Sequence, residues 1–187
     1  MIFKVENISK KYGNNVVLRD FKYEFNSGLY LLVGKNGSGK STLLKIICKL
    51  INPTNSDYKI SMIKTAYLCE KIELGNGNIK VFLNSIKSLY KSKINIKEEL
   101  KKWNIPNKNI ESLSKGNKQK SAIIMMMLIR ADLYIFDEPT DALDTHAVGL
   151  FIEFIKELLQ QDKIVIISTH EKKYFENLKY NEVSFDV

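Results

Sequence analysis

The chain has 187 residues, of which 44% are hydrophobic and 27% are charged, and these values are ordinary for a soluble globular protein with one domain. Its longest apolar run, residues 122–129, is far shorter than the roughly 20 residues that span a bilayer, which argues against a transmembrane segment. The first ten residues lack the apolar core of a secretion signal. Cys48 and Cys69 lack the spacing of metal ligands, so we expect reduced cytoplasmic thiols packed in the core.

The net charge of +8 is concentrated in one segment of the chain. Residues 80–120 contain 11 lysines and three acidic residues, and the remainder of the chain is neutral. This segment fits a surface that binds nucleic acid or an anionic membrane, and it also fits a solvated, lysine-rich helical surface. The lysines are not accompanied by the aromatic and arginine side chains on which nucleic-acid bases stack, which favours the solvated surface.

In chain order, hydrophobic periodicity predicts paired antiparallel strands, a buried strand and a helix, then short strands, three helices, and a final strand–helix–strand unit. The predicted strands are residues 2–8, 16–25, 29–33, 59–62, 64–68, 133–136 and 164–168, and the predicted helices are residues 40–50, 80–89, 96–103, 114–129 and 146–161. This order predicts an α/β fold with a mostly parallel sheet, as one domain over residues 1–187 with a helical insertion at about residues 70–130.

A glycine-rich segment, GKNGSGKST at residues 34–42, joins the third predicted strand to the first predicted helix. Its spacing is that of a P-loop, in which glycines let the backbone N–H groups surround phosphates at a helix N-terminus. Lys40 is expected to reach the β- and γ-phosphates, and the Ser41 hydroxyl to bind Mg²⁺. The residues expected to bind the nucleotide are Gly34, Asn36, Gly37, Ser38, Gly39, Lys40, Ser41 and Thr42.

Two acidic residues and a histidine follow later strands. Asp137 and Glu138 end the apolar run at 133–136, where Asp137 is expected to hold Mg²⁺ and Glu138 to act as general base on the attacking water. His170 follows the last buried strand, at the sheet edge where α/β proteins bind ligands, and is expected to contact the γ-phosphate or that water. Taken alone, His170 would be interpreted as a surface histidine.

The order of these motifs resembles the nucleotide-binding subunit of ATP-binding cassette (ABC) transporters. The matching segments are Tyr12 in KKYG, the P-loop, LSKGN at 113–117, IFDEPT at 135–140, DALD at 141–144, and His170. The resemblance implies a P-loop NTPase core with a small antiparallel β subdomain and a short helical insertion. It also implies ATP and Mg²⁺ as cofactors, Tyr12 stacked on adenine, and catalytic roles for Lys40, Glu138 and His170.

The resemblance further implies a head-to-tail dimer, in which Ser114 and Gly116 of one chain contact the γ-phosphate bound by the other. This chain departs from the family's LSGGQ at Lys115 and Asn117. It also carries Glu70 where the family carries a glutamine. A carboxylate at that position is still a possible Mg²⁺ ligand, although it cannot donate an N–H group.

The leading hypothesis is therefore the ATP-hydrolysing subunit of a transporter, a homodimer or paired cassette that drives a separate transmembrane permease. Such a protein is cytoplasmic and is held at the inner face of the membrane by its partner. One alternative is a soluble ABC ATPase that acts on nucleic acid or ribosomes, and the absence of a second cassette or a long arm speaks against it. Another alternative is a weakly hydrolysing ATP switch, motivated by Glu70, Lys115 and Asn117.

Overall fold

A computed structural model describes residues 1–185 of the chain. The strands are β1 (Ile2–Tyr12), β2 (Asn15–Asn26), β3 (Gly28–Val33), β4 (Lys59–Ile60), β5 (Thr65–Leu68), β6 (Leu133–Asp137), β7 (Ile164–Ser168) and β8 (Tyr180–Ser184). The α-helices are α1 (Lys40–Ile47), α2 (Ile79–Leu89), α3 (Ile96–Lys102), α4 (Lys115–Leu128) and α5 (Thr145–Gln160). None of these helices is both long enough and apolar enough to cross a membrane.

The central sheet is parallel, with the strand order β5-β6-β7-β3-β8. Strands β3, β6 and β7 are almost entirely buried and apolar, as parallel strands are when both faces of the sheet are covered. Along β3, Leu29 and Leu31 pack into one hydrophobic cluster, whereas Tyr30 and Leu32 pack into the other. Because β6, β7 and β3 are neighbours and parallel, the segments that follow them meet at one edge of the sheet.

A second, antiparallel sheet with the order β2-β1-β4 covers one face of this arrangement. Its inward residues Phe3 and Val5 share a hydrophobic cluster with Leu43 and Leu44 of α1, the helix that follows the P-loop. This packing fixes the position of β2 relative to the P-loop, so that Val17 lies beside it.

Helices α2, α3 and α4 form the predicted insertion. Asn78, Asn95 and Ser114 cap their N-termini by accepting hydrogen bonds from backbone N–H groups in the first turns. Trp103, which follows α3 and is 1% exposed, packs in the same hydrophobic cluster as Phe136 of the central sheet. The inserted helices therefore share the core of the sheet.

The α/β fold with its two sheets and inserted helices agrees with the prediction, and the differences have local causes. The predicted helix 40–50 ends at Ile47, because Lys49 has a left-handed φ of 57° that a right-handed helix cannot continue. The predicted strand 59–62 extends over Lys59–Ile60 and pairs with β1. Strand β8 is missing from the prediction, because it is an edge strand with one buried residue, Val183, and has no apolar run.

Candidate active site

The P-loop lies between β3 and α1 and forms one wall of a cleft of about 780 Å³. The cleft is further lined by Glu70, Glu138, Asp141 and His170. These residues follow β5, β6 and β7, so the strand order itself brings them to the loop. Val17 of β2 also lines the cleft.

The P-loop backbone requires glycine at defined points. Gly39 has a φ of +104°, and a Cβ atom there would lie 2.8 Å from the carbonyl oxygen of Val17. Gly37 has a φ of +82°, but a Cβ atom there would have nothing within 4 Å. The hydroxyl of Ser38 is buried and has no hydrogen-bond partner among residues 1–185, so it is a polar atom to which a bound phosphate could supply a partner.

Lys40 is buried at the centre of this loop. Its ammonium donates hydrogen bonds to the carbonyl oxygens of Gly34 at 2.7 Å and Lys35 at 3.1 Å. A buried ammonium needs such partners, and the loop carbonyls hold it where an anion on the loop would meet it. Lys40 is thus held at the P-loop by the carbonyl groups of the loop itself.

Asp137 is 1% exposed and is surrounded by hydroxyl groups. Its Oδ1 accepts hydrogen bonds from Ser41 at 3.0 Å and Ser168 at 2.5 Å, and its Oδ2 accepts one from Tyr67 at 3.3 Å. Mg²⁺ prefers oxygen ligands such as hydroxyl and carboxylate groups. Ser41 and Asp137 therefore offer the donor chemistry that a Mg²⁺ ion would need.

Glu138 directly follows β6 and adopts a left-handed φ of 49°. Its N–H donates to the Ser168 carbonyl at 3.1 Å and to the Ser168 hydroxyl at 3.2 Å, which anchors the turn to β7. The side chain, 13% exposed, places Oε2 3.0 Å from Nδ1 of His170, which is 55% exposed. Burial raises the pKa of Glu138 above its ordinary value, and the adjacent His170 opposes that shift.

The other predicted site residues lie outside the cleft lining. Tyr12 is exposed near the end of the β1–β2 hairpin, with the Lys10 ammonium 5.2 Å from its ring centre. The Ser114 hydroxyl accepts a hydrogen bond from the N–H of Asn117 at 3.2 Å, which caps α4. A Cβ atom on Gly116 would lie 2.7 Å from the carbonyl oxygen of Ala142, so this glycine is also needed for packing within the chain.

Several residues around the site were not predicted from the sequence. Tyr67 and Ser168 bind Asp137 from the two neighbouring strands, and Asp141 joins Glu138 and His170 in one cluster of polar side chains. A serine at the end of the otherwise apolar strand β7 was the available signal for Ser168. No comparable signal marked Tyr67, because tyrosine is common in strands.

Comparison with known proteins addresses the family of the chain. The sequence model of the ABC transporter family matches residues 18–141. An uncharacterized ABC transporter ATP-binding protein of Methanocaldococcus jannaschii is 33% identical over 185 residues, which cover 94% of this chain and 70% of that protein. The arginine transport ATP-binding protein of Bacillus subtilis is 28% identical, over 91% of this chain and 81% of its own length. A solved ATP-binding subunit of an ABC transporter superposes with a TM-score of 0.84 at 23% identity, covering 99% of this chain and 87% of that one.

The parallel sheet with a P-loop after β3 defines a nucleoside triphosphate-binding protein. More specifically, the chain belongs to the ABC transporter family, and it is the ATP-hydrolysing subunit of a transporter. The relatives named above are ATP-binding proteins of transporters, so the comparisons do not favour the alternatives of a ribosome- or nucleic-acid-directed ATPase or a weakly hydrolysing switch.

Proposed function

We propose that this subunit binds Mg-ATP in the cleft beside β3 and hydrolyses it with Glu138 as the general base. The observation that carries the proposal is the Glu138–His170 pair, 3.0 Å apart, which lines the same cleft as the P-loop. A carboxylate at this place can accept the proton of a water molecule that attacks the γ-phosphate. His170 orients that carboxylate and is itself exposed enough to contact the phosphate.

The P-loop residues bind the triphosphate in this proposal. Lys40 donates its hydrogen bonds to β- and γ-phosphate oxygens in place of the loop carbonyls. The buried Ser38 hydroxyl forms a hydrogen bond with a phosphate oxygen. Ser41 and Asp137 would hold the Mg²⁺ ion, which neutralises charge on the phosphate oxygens when it is bound. Glu70 on the wall of the cleft is an additional Mg²⁺ ligand in the proposal, and Tyr12 stacks on the adenine.

The working unit that we propose is a head-to-tail dimer of nucleotide-binding domains, each spanning residues 1–187. Ser114 and Gly116 do not line the cleft of their own chain, which is what a role toward the partner's nucleotide requires. They lie at the N-terminus of the 14-residue helix α4, whose dipole favours an anion. The dimer drives a separate transmembrane subunit and is held by it at the cytoplasmic face of the membrane.

The test is the variant Glu138→Gln, compared with Glu157→Gln on the exposed side of α5. Removing the base should lower kcat by about 100-fold or more while ATP still binds, because one preorganised catalytic group is lost. Light scattering of the same variant with Mg-ATP should show a dimer that is absent without nucleotide. Turnover equal to that of Glu157→Gln would show that Glu138 is not the base, and a persistent monomer would refute the dimer.

A further inference from the structure

Two buried polar side chains of α4 contact the segment between β6 and α5. This segment, residues 138–144, begins with the proposed base and is called the base loop below. Gln119, 3% exposed, donates a hydrogen bond from Nε2 to the carbonyl oxygen of Pro139 at 2.8 Å. Lys120, 5% exposed, donates from Nζ to Oδ2 of Asp144 at 2.6 Å. One contact therefore lies next to Glu138 and the other at the far end of the base loop.

A third contact on the same helix face reaches the middle of the base loop. Residues 116, 119 and 120 are spaced three and four apart, so they lie on one face of the helix. At residue 116 the lack of a side chain lets the helix approach Ala142, whose carbonyl oxygen would be 2.7 Å from an added Cβ atom. The helix thus contacts the start, the middle and the end of the base loop.

The base loop has a backbone shape that needs such support. Glu138 and Ala142 have φ values of 49° and 66°, in the left-handed region that is unfavourable for a residue with a side chain. Strained backbone of this kind persists when the surrounding structure holds it in place. The far end is fixed twice, because Asp144 also accepts a hydrogen bond from Ala147 N at 2.8 Å and so caps α5.

We propose that Gln119 and Lys120 are positioning residues, which hold the base loop so that Glu138 is aimed into the cleft. The proposal rests on the role of Glu138 as the base. A buried lysine and glutamine need partners for stability alone, so the distinguishing claim is kinetic. Loss of either contact should slow hydrolysis while leaving the affinity for ATP unchanged, because neither residue contacts the P-loop.

The experiment uses the full chain with Gln119→Met, Lys120→Met, Asp144→Asn and the double variant Lys120→Met/Asp144→Asn. Asparagine at 144 can still cap α5, so Asp144→Asn removes the charge pair and keeps the helix cap. We expect kcat to fall about 10- to 100-fold in each single variant, since small misplacements of a catalytic group have effects of this size. We expect KM for ATP to stay within about twofold of the wild-type value. The double variant should be no slower than the slower of its two single variants. Lys120→Arg should recover most of the rate that Lys120→Met loses.

Lys102→Met is the matched control. Lys102 of the insertion likewise pairs with an acid on α5, Glu153, at 3.4 Å, but both side chains are exposed and neither belongs to the base loop. This variant should keep the kcat of the wild type, because exposed ion pairs contribute little. The midpoint of thermal unfolding, measured for every variant, separates loss of rate from loss of fold.

The outcomes separate the two proposals. If Glu138→Gln is inactive but Lys120→Met and Gln119→Met turn over as the wild type does, the positioning role is wrong and the proposed function stands. Loss of ATP affinity together with rate, without recovery in Lys120→Arg, would also overturn the positioning role, since it indicates general damage. If Glu138→Gln is as active as the wild type, the proposed function fails, and the positioning role fails with it.

Discussion

Alanine substitution at two P-loop glycines should have unequal effects, although both glycines have a positive φ. In Gly37→Ala the new methyl group would meet nothing within 4 Å, so the change in stability comes from the backbone alone. In Gly39→Ala the methyl group would also lie 2.8 Å from the Val17 carbonyl oxygen and 3.1 Å from the Leu18 side chain. The comparison therefore separates backbone strain from packing against β2.

The magnitudes follow from these distances. A left-handed backbone costs alanine about 1–2 kcal/mol relative to glycine, which is the whole expected effect for Gly37→Ala. For Gly39→Ala the contact with backbone oxygen forces β2 away from the loop, and overpacking of this kind adds about 1–3 kcal/mol. In a protein of this size the unfolding midpoint falls by roughly 2–4 °C for each kcal/mol.

The measurement is urea and thermal unfolding of the wild type and both variants, with ATP affinity measured in parallel. We expect Gly37→Ala to unfold about 2–8 °C below the wild type and Gly39→Ala to unfold lower still. We also expect the larger loss of ATP affinity in Gly39→Ala, because Val17 lines the cleft. Equal destabilisation of the two variants, or a larger effect at Gly37, would refute the packing argument.

Three further predictions concern other parts of the molecule. Burial raises the pKa of the Cys48 thiol to about 12, so iodoacetamide at pH 8 should label it roughly 1,000-fold more slowly in the native chain than in guanidinium, as peptide mass spectrometry would reveal. The hydrogen bond from Lys120 lowers the pKa of Asp144 in the folded chain below its ordinary value of 3.8. The Lys120–Asp144 pair should therefore stabilise the fold fully above pH 3.8, and it should lose this effect as the pH falls through the lower pKa of the folded chain. Urea unfolding should accordingly show the deficit of Asp144→Asn at pH 7 shrinking below pH 3.8. Phe151→Ala removes a fully buried ring that meets Phe136 edge-on with centroids 5.1 Å apart, and should cost about 3–5 kcal/mol of unfolding free energy by the same assay.

The parts of the site that could be predicted are those encoded by short spacings. The P-loop needs its glycines, Lys40 and Ser41 within nine consecutive residues, so the pattern is readable without the fold. Asp137 and Glu138 were recognisable because they directly follow an apolar run. Their roles remain predictions, whereas the fold brings Glu138 to the same cleft as the P-loop and places Asp137 in contact with Ser41.

The parts that could not be predicted depend on which strands are neighbours. Ser168 reaches Asp137 because β7 pairs with β6 in a register that places these two residues side by side. Tyr67 reaches the same carboxylate from the other neighbour, β5. Strand order and register are set by the packing of the whole chain, and local periodicity does not specify them. Likewise, periodicity marked α4 as a helix but did not indicate that Gln119 and Lys120 would be buried with partners.

The shared core of the insertion and the central sheet has a practical consequence. The chain has one tryptophan, Trp103, and it lies in the insertion, yet its ring packs in the cluster that includes the middle of the sheet. Its indole N–H also donates to Glu99 at 3.1 Å, so both the apolar and the polar parts of the side chain have partners. Its fluorescence is therefore a native optical probe of the entire fold, and it needs no introduced label.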